Sequence, residues 1–254
     1  MQFLVELKAR NELLFYFGLF NLILSVLFLV LSQVSTIEVA GTNAWHKPFK
    51  FTLSIGTYSW TIAWFMSYLP PTSFVTTVSW LIIVMLGFEI LYIGIQAGRG
   101  QMSHYNLSTP FYSGLYMAMA LAATVVAFIT LILAVRFFTT PLPNLPDYYV
   151  WSIRLGLLLF FIFSMEGFVM GSRLSHTIGA NAGGRTLPIL NWSREYGDPR
   201  VAHFIGMHAL QVLPLTAYYL LKDTKLVIGL SSVYSLLALF VLVQALNGKP
   251  FIKA

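Results

Sequence analysis

Seven long runs of apolar residues follow one another along this chain, separated by more polar segments. The runs occupy residues 13–31, 51–69, 75–96, 112–135, 150–171, 199–221 and 226–246. Each is close to the roughly 20 residues that a helix needs to cross a bilayer. They lack the alternation of a half-buried strand, and backbone groups in lipid must be paired within their own segment. The pattern therefore predicts an all-α fold, a polytopic bundle of seven transmembrane helices.

Composition and charge agree with this class. Hydrophobic residues make up 57% of the 254 residues and charged residues only 9%, too few to solvate a soluble domain. The sequence contains no cysteine, which excludes disulfides, Fe–S clusters and cysteine-bound zinc. We therefore expect a single membrane domain of residues 1–254 in a bacterial inner membrane or an equivalent bilayer. Lipid is its expected surrounding, and no nucleic acid is expected among its partners.

Because successive crossings alternate in direction, the connections between them fall on two faces. Face A holds the N-terminus and the connections after the second, fourth and sixth helices. Face B holds the remaining connections, 35–50, 98–110 and 172–200, which contain nearly every residue able to do chemistry. Long connections without obvious structure are usually functional or disordered, and the apolar stretch 187–192 argues against disorder. Residues 172–200 are therefore expected to fold as a capping loop region over the helix ends.

All five histidines fall at or near face B. His46, His104, His176 and His203 lie beside that face, and His208 lies slightly deeper in the sixth helix. Neutral imidazoles from separate helices are suitable ligands for haem iron, copper or zinc. His203 and His208 are five residues apart and so point about 140° apart around a helix, which disfavours chelation of one ion by the pair. We predict that His104, His176, His203 and His208 approach one another beneath the cap as metal or haem ligands.

Three carboxylic acids lie near the same face. Glu89 lies about two turns inside the third helix, where a carboxylate is costly, so it should face the bundle interior. Glu166 lies at comparable depth in the fifth helix. Asp198 precedes Pro199, a strong helix-start signal. Glu89, Glu166 and Asp198 are therefore the candidate catalytic residues, as sources of a proton or an oxygen ligand. For Glu89, the alternative role is a hydrogen bond that packs helices together.

The favoured hypothesis for function follows from the clustering of the histidines. A haem or a transition metal ion would support redox or other membrane-embedded chemistry on a lipid-like or quinone-like substrate, as an oxidoreductase or a hydrolase. Arg99, Arg173 and Arg200 lie at face B, and Gln211 lies beneath His203 on the sixth helix. These four are the predicted cofactor-binding residues.

Two other hypotheses remain open. In a transporter or sensor, Arg99, Arg173, Arg185 and Arg200 would clamp an anionic ligand, with the histidines as donors or pH sensors. The anion would be a carboxylate or a phospholipid headgroup. The third possibility is a structural subunit of a larger membrane complex. A separate packing signal, Gly167-x-x-x-Gly171, predicts close approach of a neighbouring helix to the fifth helix.

Overall fold

The computed structural model of this chain describes residues 2–179 and 184–253, which are mostly helical. The elements in chain order are α1 (Gln2–Arg10), α2 (Glu12–Val34), β1 (Glu38–Val39), β2 (Thr42–Asn43), α3 (His46–Met66), α4 (Ser73–Gly98), α5 (Pro110–Thr139), α6 (Asp147–Ser164), α7 (Glu166–Arg173), α8 (Arg200–Thr216), a π-helical turn (Ala217–Leu221) and α9 (Thr224–Leu246). The chain divides into two compact units, Met1–Val126 and Ala127–Ala254, called unit 1 and unit 2 below. The predicted single membrane domain stays a prediction.

In the described part of the chain, six helical spans are long and apolar enough to cross a membrane. They are α2, α4, α5, α6 continued by α7, α8 continued by the π-helical turn, and α9. Each begins and ends within a few residues of a predicted apolar run, so the chain is an integral membrane protein in a lipid bilayer. The seventh predicted span corresponds to α3, a helix of 21 residues that is not among the six. Lys47, Lys50 and several Ser and Thr residues lower its apolarity, and its crossing stays a prediction.

Unit 1 is held together by a close crossing of α2 and α3. A Cβ atom at Gly18 would lie 2.3 Å from the Trp60 ring, and one at Gly56 would lie 2.8 Å from the Leu22 side chain. The Trp60 indole donates a hydrogen bond to the Phe15 carbonyl oxygen at 3.1 Å. Small residues let membrane helices approach closely enough for such backbone contacts. These glycines therefore fix where α2 and α3 cross.

The short helix α1 was not identified from the sequence. Leu7 is fully buried, and the Arg10 guanidinium lies 4.0 Å from the centre of the Trp64 ring. Arg10 also forms an ion pair with Glu6 at 2.8 Å. The helix therefore packs against the end of α3 instead of extending into solvent.

In unit 2, α6 and α8 form an equally close pair. A Cβ atom at Gly156 would lie 3.0 Å from the Ala209 carbonyl oxygen, and one at Gly206 would lie 1.9 Å from the Phe163 ring. By contrast, no atom of the described residues lies within 4 Å of the position of a Cβ at Gly167. The close approach predicted from Gly167 and Gly171 is therefore not found at Gly167. The close approach of a neighbouring helix occurs instead at Gly156 in α6, where α8 packs against it.

The connection after α7 was predicted to form a cap from residues 172–200, of which 180–183 lie outside the described residues. Its described parts are folded, with antiparallel bridges between Ile178 and Gly197 and between Thr186 and Ser193. The Trp192 ring packs 5.5 Å from the Phe204 ring of α8. That this connection covers a functional site stays a prediction, but the connection is packed against α8 of the same unit.

Candidate functional site

Glu166 is a buried acid at the break between α6 and α7. It is only 5% exposed, and neither carboxyl oxygen has a hydrogen-bond partner within the described part of the chain. Asp198 is near enough to interact with it electrostatically. A buried carboxylate anion without hydrogen bonds, close to a second acid, is strongly unfavourable compared with the neutral acid. These surroundings favour a Glu166 that carries a proton.

His203 is anchored to the end of α6. Its Nδ1 atom lies 2.7 Å from the carbonyl oxygen of Phe163. A carbonyl oxygen can only accept, so Nδ1 carries the hydrogen and Nε2 keeps its lone pair. A histidine held this way presents Nε2 in one orientation, as ligating and proton-accepting histidines require.

The packing of α6 against α8 brings His203 and Glu166 to the same depth. Gly156 faces Ala209 and Phe163 faces Gly206, so the two helices run antiparallel. Continuing by about one turn beyond Phe163 brings the chain to Glu166, beside the first turn of α8. The electrostatic interaction between Glu166 and Asp198 agrees with this position.

Asp198 and Arg200 bind each other at the start of α8. Asp198 is 1% exposed, and its Oδ1 atom accepts hydrogen bonds from Arg200 Nε at 2.8 Å and from the Arg200 amide at 3.2 Å. Its Oδ2 atom accepts from Arg200 Nη2 and from the Ser193 amide at 2.9 Å. Arg200 Nη2 also donates to the Asn191 carbonyl oxygen. The Asp198 carboxylate and the Arg200 guanidinium therefore hold residues 191–200 against α8. This structural role competes with the catalytic role predicted for Asp198 and the cofactor-binding role predicted for Arg200.

The other predicted site residues of unit 2 differ in their contacts and in their exposure. His208 Nδ1 lies 2.7 Å from the Phe204 carbonyl oxygen of its own helix, and the two rings are 4.0 Å apart. His176 is half-buried in the connection after α7, and Arg173 is exposed at the end of α7. Gln211 is half-buried on α8. His208 is thus fixed within α8 and does not share the anchor of His203.

In unit 1, His104 lies among aromatic rings. Its ring centre is 5.6 Å from that of Phe51 and 6.2 Å from those of Tyr105 and Tyr116. Its Nδ1 atom is 3.3 Å from the Ser103 hydroxyl. The imidazole is therefore held by ring contacts and by one hydroxyl.

The remaining predicted residues of unit 1 lie on α4. Glu89 is 6% exposed, and Lys47 is near enough to interact with it electrostatically. Gln96 is buried and donates to the Met102 carbonyl oxygen at 3.1 Å, which ties the following loop to the helix. Arg99 caps the helix and is exposed.

Four residues that the sequence predicted lie where the end of α6 meets the start of α8 in unit 2, and we call them the Glu166 cluster. Its members are Glu166, Asp198, Arg200 and His203. The Phe163 carbonyl and the Ser193 amide could not be predicted as partners, because any residue type supplies these backbone groups. Within residues 2–179 and 184–253, no group of three or more His, Asp or Glu side chains could hold a metal ion. The approach of His104 to the other histidines stays a prediction.

No protein-family model, curated protein or solved structure matches this chain.

Proposed function

We propose that this chain is a seven-helix protein of the bacterial inner membrane or an equivalent bilayer. In this proposal the Glu166 cluster exchanges protons with a lipid-like or quinone-like molecule at face B. The observation that carries the proposal is the His203–Phe163 hydrogen bond, which leaves the lone pair of Nε2 as a proton acceptor. Glu166, as a neutral acid at the same depth, is the matching donor. A proton donor and a proton acceptor at the same depth in unit 2 suit a substrate whose oxygen atoms gain and lose protons.

The second candidate function assigns the same Nε2 atom to a cofactor. Ligating histidines commonly donate their other ring nitrogen to a backbone carbonyl, as His203 does to Phe163. A haem iron is held by one such proximal histidine in some proteins, whereas a structural zinc site takes four protein ligands. Haem is therefore favoured over zinc as a cofactor here. His203 is the first candidate ligand in unit 2, followed by His176 and His208.

An anion pocket built from four arginines is less favoured in unit 2. Arg200 is paired with Asp198, and Arg185 lies 4.0 Å from Glu195. An anion would have to displace a carboxylate that is already in place. In the proposal, α3 is the seventh span, and the folded connection after α7 covers the Glu166 cluster.

Spectroscopy of the purified, detergent-solubilised protein separates these candidates. We expect a short-chain benzoquinone to quench tryptophan fluorescence saturably, and Glu166→Gln and His203→Gln to weaken its binding tenfold or more. His46→Gln is the matched control, because His46 lies at the start of α3 in unit 1, outside the Glu166 cluster, and it should leave binding unchanged. A haem absorption band that His203→Ala removes, or stoichiometric metal by elemental analysis, favours the second candidate. Absence of quinone binding, haem and metal alike would contradict both.

A further inference from the structure

A groove lies between α4 and the first turns of α5 in unit 1. It has a volume of about 260 Å³. Its walls are mainly apolar, with Phe88, Leu91 and Ile95 from α4 and Phe111 and Leu115 from α5. Leu91, Ile95 and Phe111 are largely exposed, so the groove is open along its side. Because both helices are apolar enough to cross a membrane, that side faces lipid.

The lining of the groove changes from apolar to polar along its length. Phe88 and Leu91 line its deeper end, whereas Gln96, Arg99 and Tyr112 lie towards face B. From residue 88 to residue 99 a helix rises by about 16 Å at ~1.5 Å per residue. That is about half of the ~30 Å hydrocarbon thickness of a bilayer. The groove therefore runs through one leaflet, apolar inside and polar at the interface.

Two residues with polar groups, Tyr92 and Arg99, line the groove towards its face-B end. The Arg99 guanidinium makes no ion pair with any of the described residues and is exposed. The Tyr92 hydroxyl belongs to a side chain that is only 6% exposed, and it has no hydrogen-bond partner in the same ranges. It lies near the Gln96 amide but outside hydrogen-bond geometry, and near the charge of Arg99. A positive charge beside a buried hydroxyl without a partner is complementary to an anion with several acceptor oxygens.

We propose that this groove binds one acyl chain of an anionic phospholipid from the surrounding bilayer, with the lipid phosphate on Arg99. A groove about 16 Å long with a volume of about 260 Å³ is narrow, which suits part of one acyl chain better than a broad fused ring system. The open side lets the second chain remain in the bilayer. A zwitterionic lipid is disfavoured because its ammonium group would lie close to the guanidinium.

The test uses the full chain in nanodiscs of phosphatidylcholine that contain a small fraction of phosphatidylglycerol with a photoreactive diazirine on its acyl chain. After illumination, mass spectrometry of peptides locates the label. We expect label on the groove residues of α4 and α5, and a fivefold or greater loss of it in Arg99→Gln. Arg99→Lys, which keeps the charge, should retain most of the label. Leu91→Trp, which fills the groove without changing charge, should remove it.

Lys249→Gln is the charge-matched control, since Lys249 is exposed just beyond the end of α9 in unit 2, and it should label like the wild type. Unlabelled phosphatidylglycerol should compete for the groove, and additional phosphatidylcholine should not. Equal labelling of wild type and Arg99→Gln, or equal competition by both lipids, overturns the proposal. Competition by free oleate but not by phosphatidylglycerol overturns it as well. If Arg99→Gln fails to fold, Arg99→Lys and Leu91→Trp decide the outcome.

Discussion

The Nδ1 atom of His203 lies 2.7 Å from the carbonyl oxygen of Phe163, and this hydrogen bond joins α8 to the last turn of α6. Phe163 is a buried residue, and its ring also packs on Gly206 one turn further along α8. One residue of α6 therefore receives both a polar and an apolar contact from α8. The orientation of the His203 imidazole follows from how closely these two helices pack.

Replacing His203 with alanine should lower stability by about 1–3 kcal/mol, because a buried carbonyl loses its partner. The measurement is thermal unfolding in detergent, compared with His208→Ala. His208 bonds to a carbonyl of its own helix, so that variant should lose about 1 kcal/mol or less. Equal losses in the two variants would contradict the anchoring role of His203.

Glu166→Gln should leave the fold intact, because an amide has nearly the same shape as a protonated carboxyl group. The infrared spectrum should lose a band of a protonated carboxylic acid, since burial without hydrogen bonds favours the neutral form. Glu195→Gln is the control, as its carboxylate already pairs with Arg185. A protonated-acid spectrum that is the same in wild type and Glu166→Gln would show that Glu166 is ionised.

Most of the helices could be predicted from the sequence, and the reason is physical. A bilayer requires long, uninterrupted apolar helices, so the positions of these helices can be predicted from the runs of apolar residues in the sequence. The break between α6 and α7 leaves no such trace, because apolar residues continue on both sides of Ser164-Met165-Glu166, at 160–163 and 168–170, and the hydropathy reads as one span. Helix α1 was missed for the opposite reason. It is too short and too charged to resemble a span, and it forms through contacts with α3.

For the candidate site, the sequence allowed the types of residue to be predicted but not the partners that those residues bind. Acids, arginines and histidines near face B are visible in the sequence, and four of them belong to the Glu166 cluster. Their partners were not visible. Asp198 and Arg200 bind each other, and His203 binds a carbonyl oxygen whose availability depends on how α6 packs against α8.

The seventh crossing can be tested at two exposed turns that flank α3. Reporter fusions at Gly41, in the turn between β1 and β2, and at Pro71, in the turn before α4, should report opposite sides of the membrane. This is because a 21-residue helix of ~1.5 Å rise per residue is just long enough to span the core. Fusions at Leu142 and Asp223 should agree with Pro71. The same side for Gly41 and Pro71 would show that α3 does not cross.

Gly197 brings the connection after α7 close to the end of α9. A Cβ atom there would lie 1.9 Å from the carbonyl oxygen of Ala245, a backbone atom that cannot rotate away. Gly197→Ala should therefore cost about 1–3 kcal/mol through overpacking and detach the connection from α9.

Limited trypsin digestion in detergent measures that detachment, because Arg185 lies in the connection and is exposed. Cleavage after Arg185 should become several times faster in Gly197→Ala. The matched control is Gly229→Ala within α9, where a Cβ would meet none of the described atoms within 4 Å. That variant should be neutral or more stable by up to about 1 kcal/mol, because alanine is the better helix former. If both variants were cleaved at the wild-type rate, the contact with Ala245 would not hold the connection. The covering role proposed for it would then lose its physical basis, because a segment free to leave the end of α9 could not exclude water from Glu166.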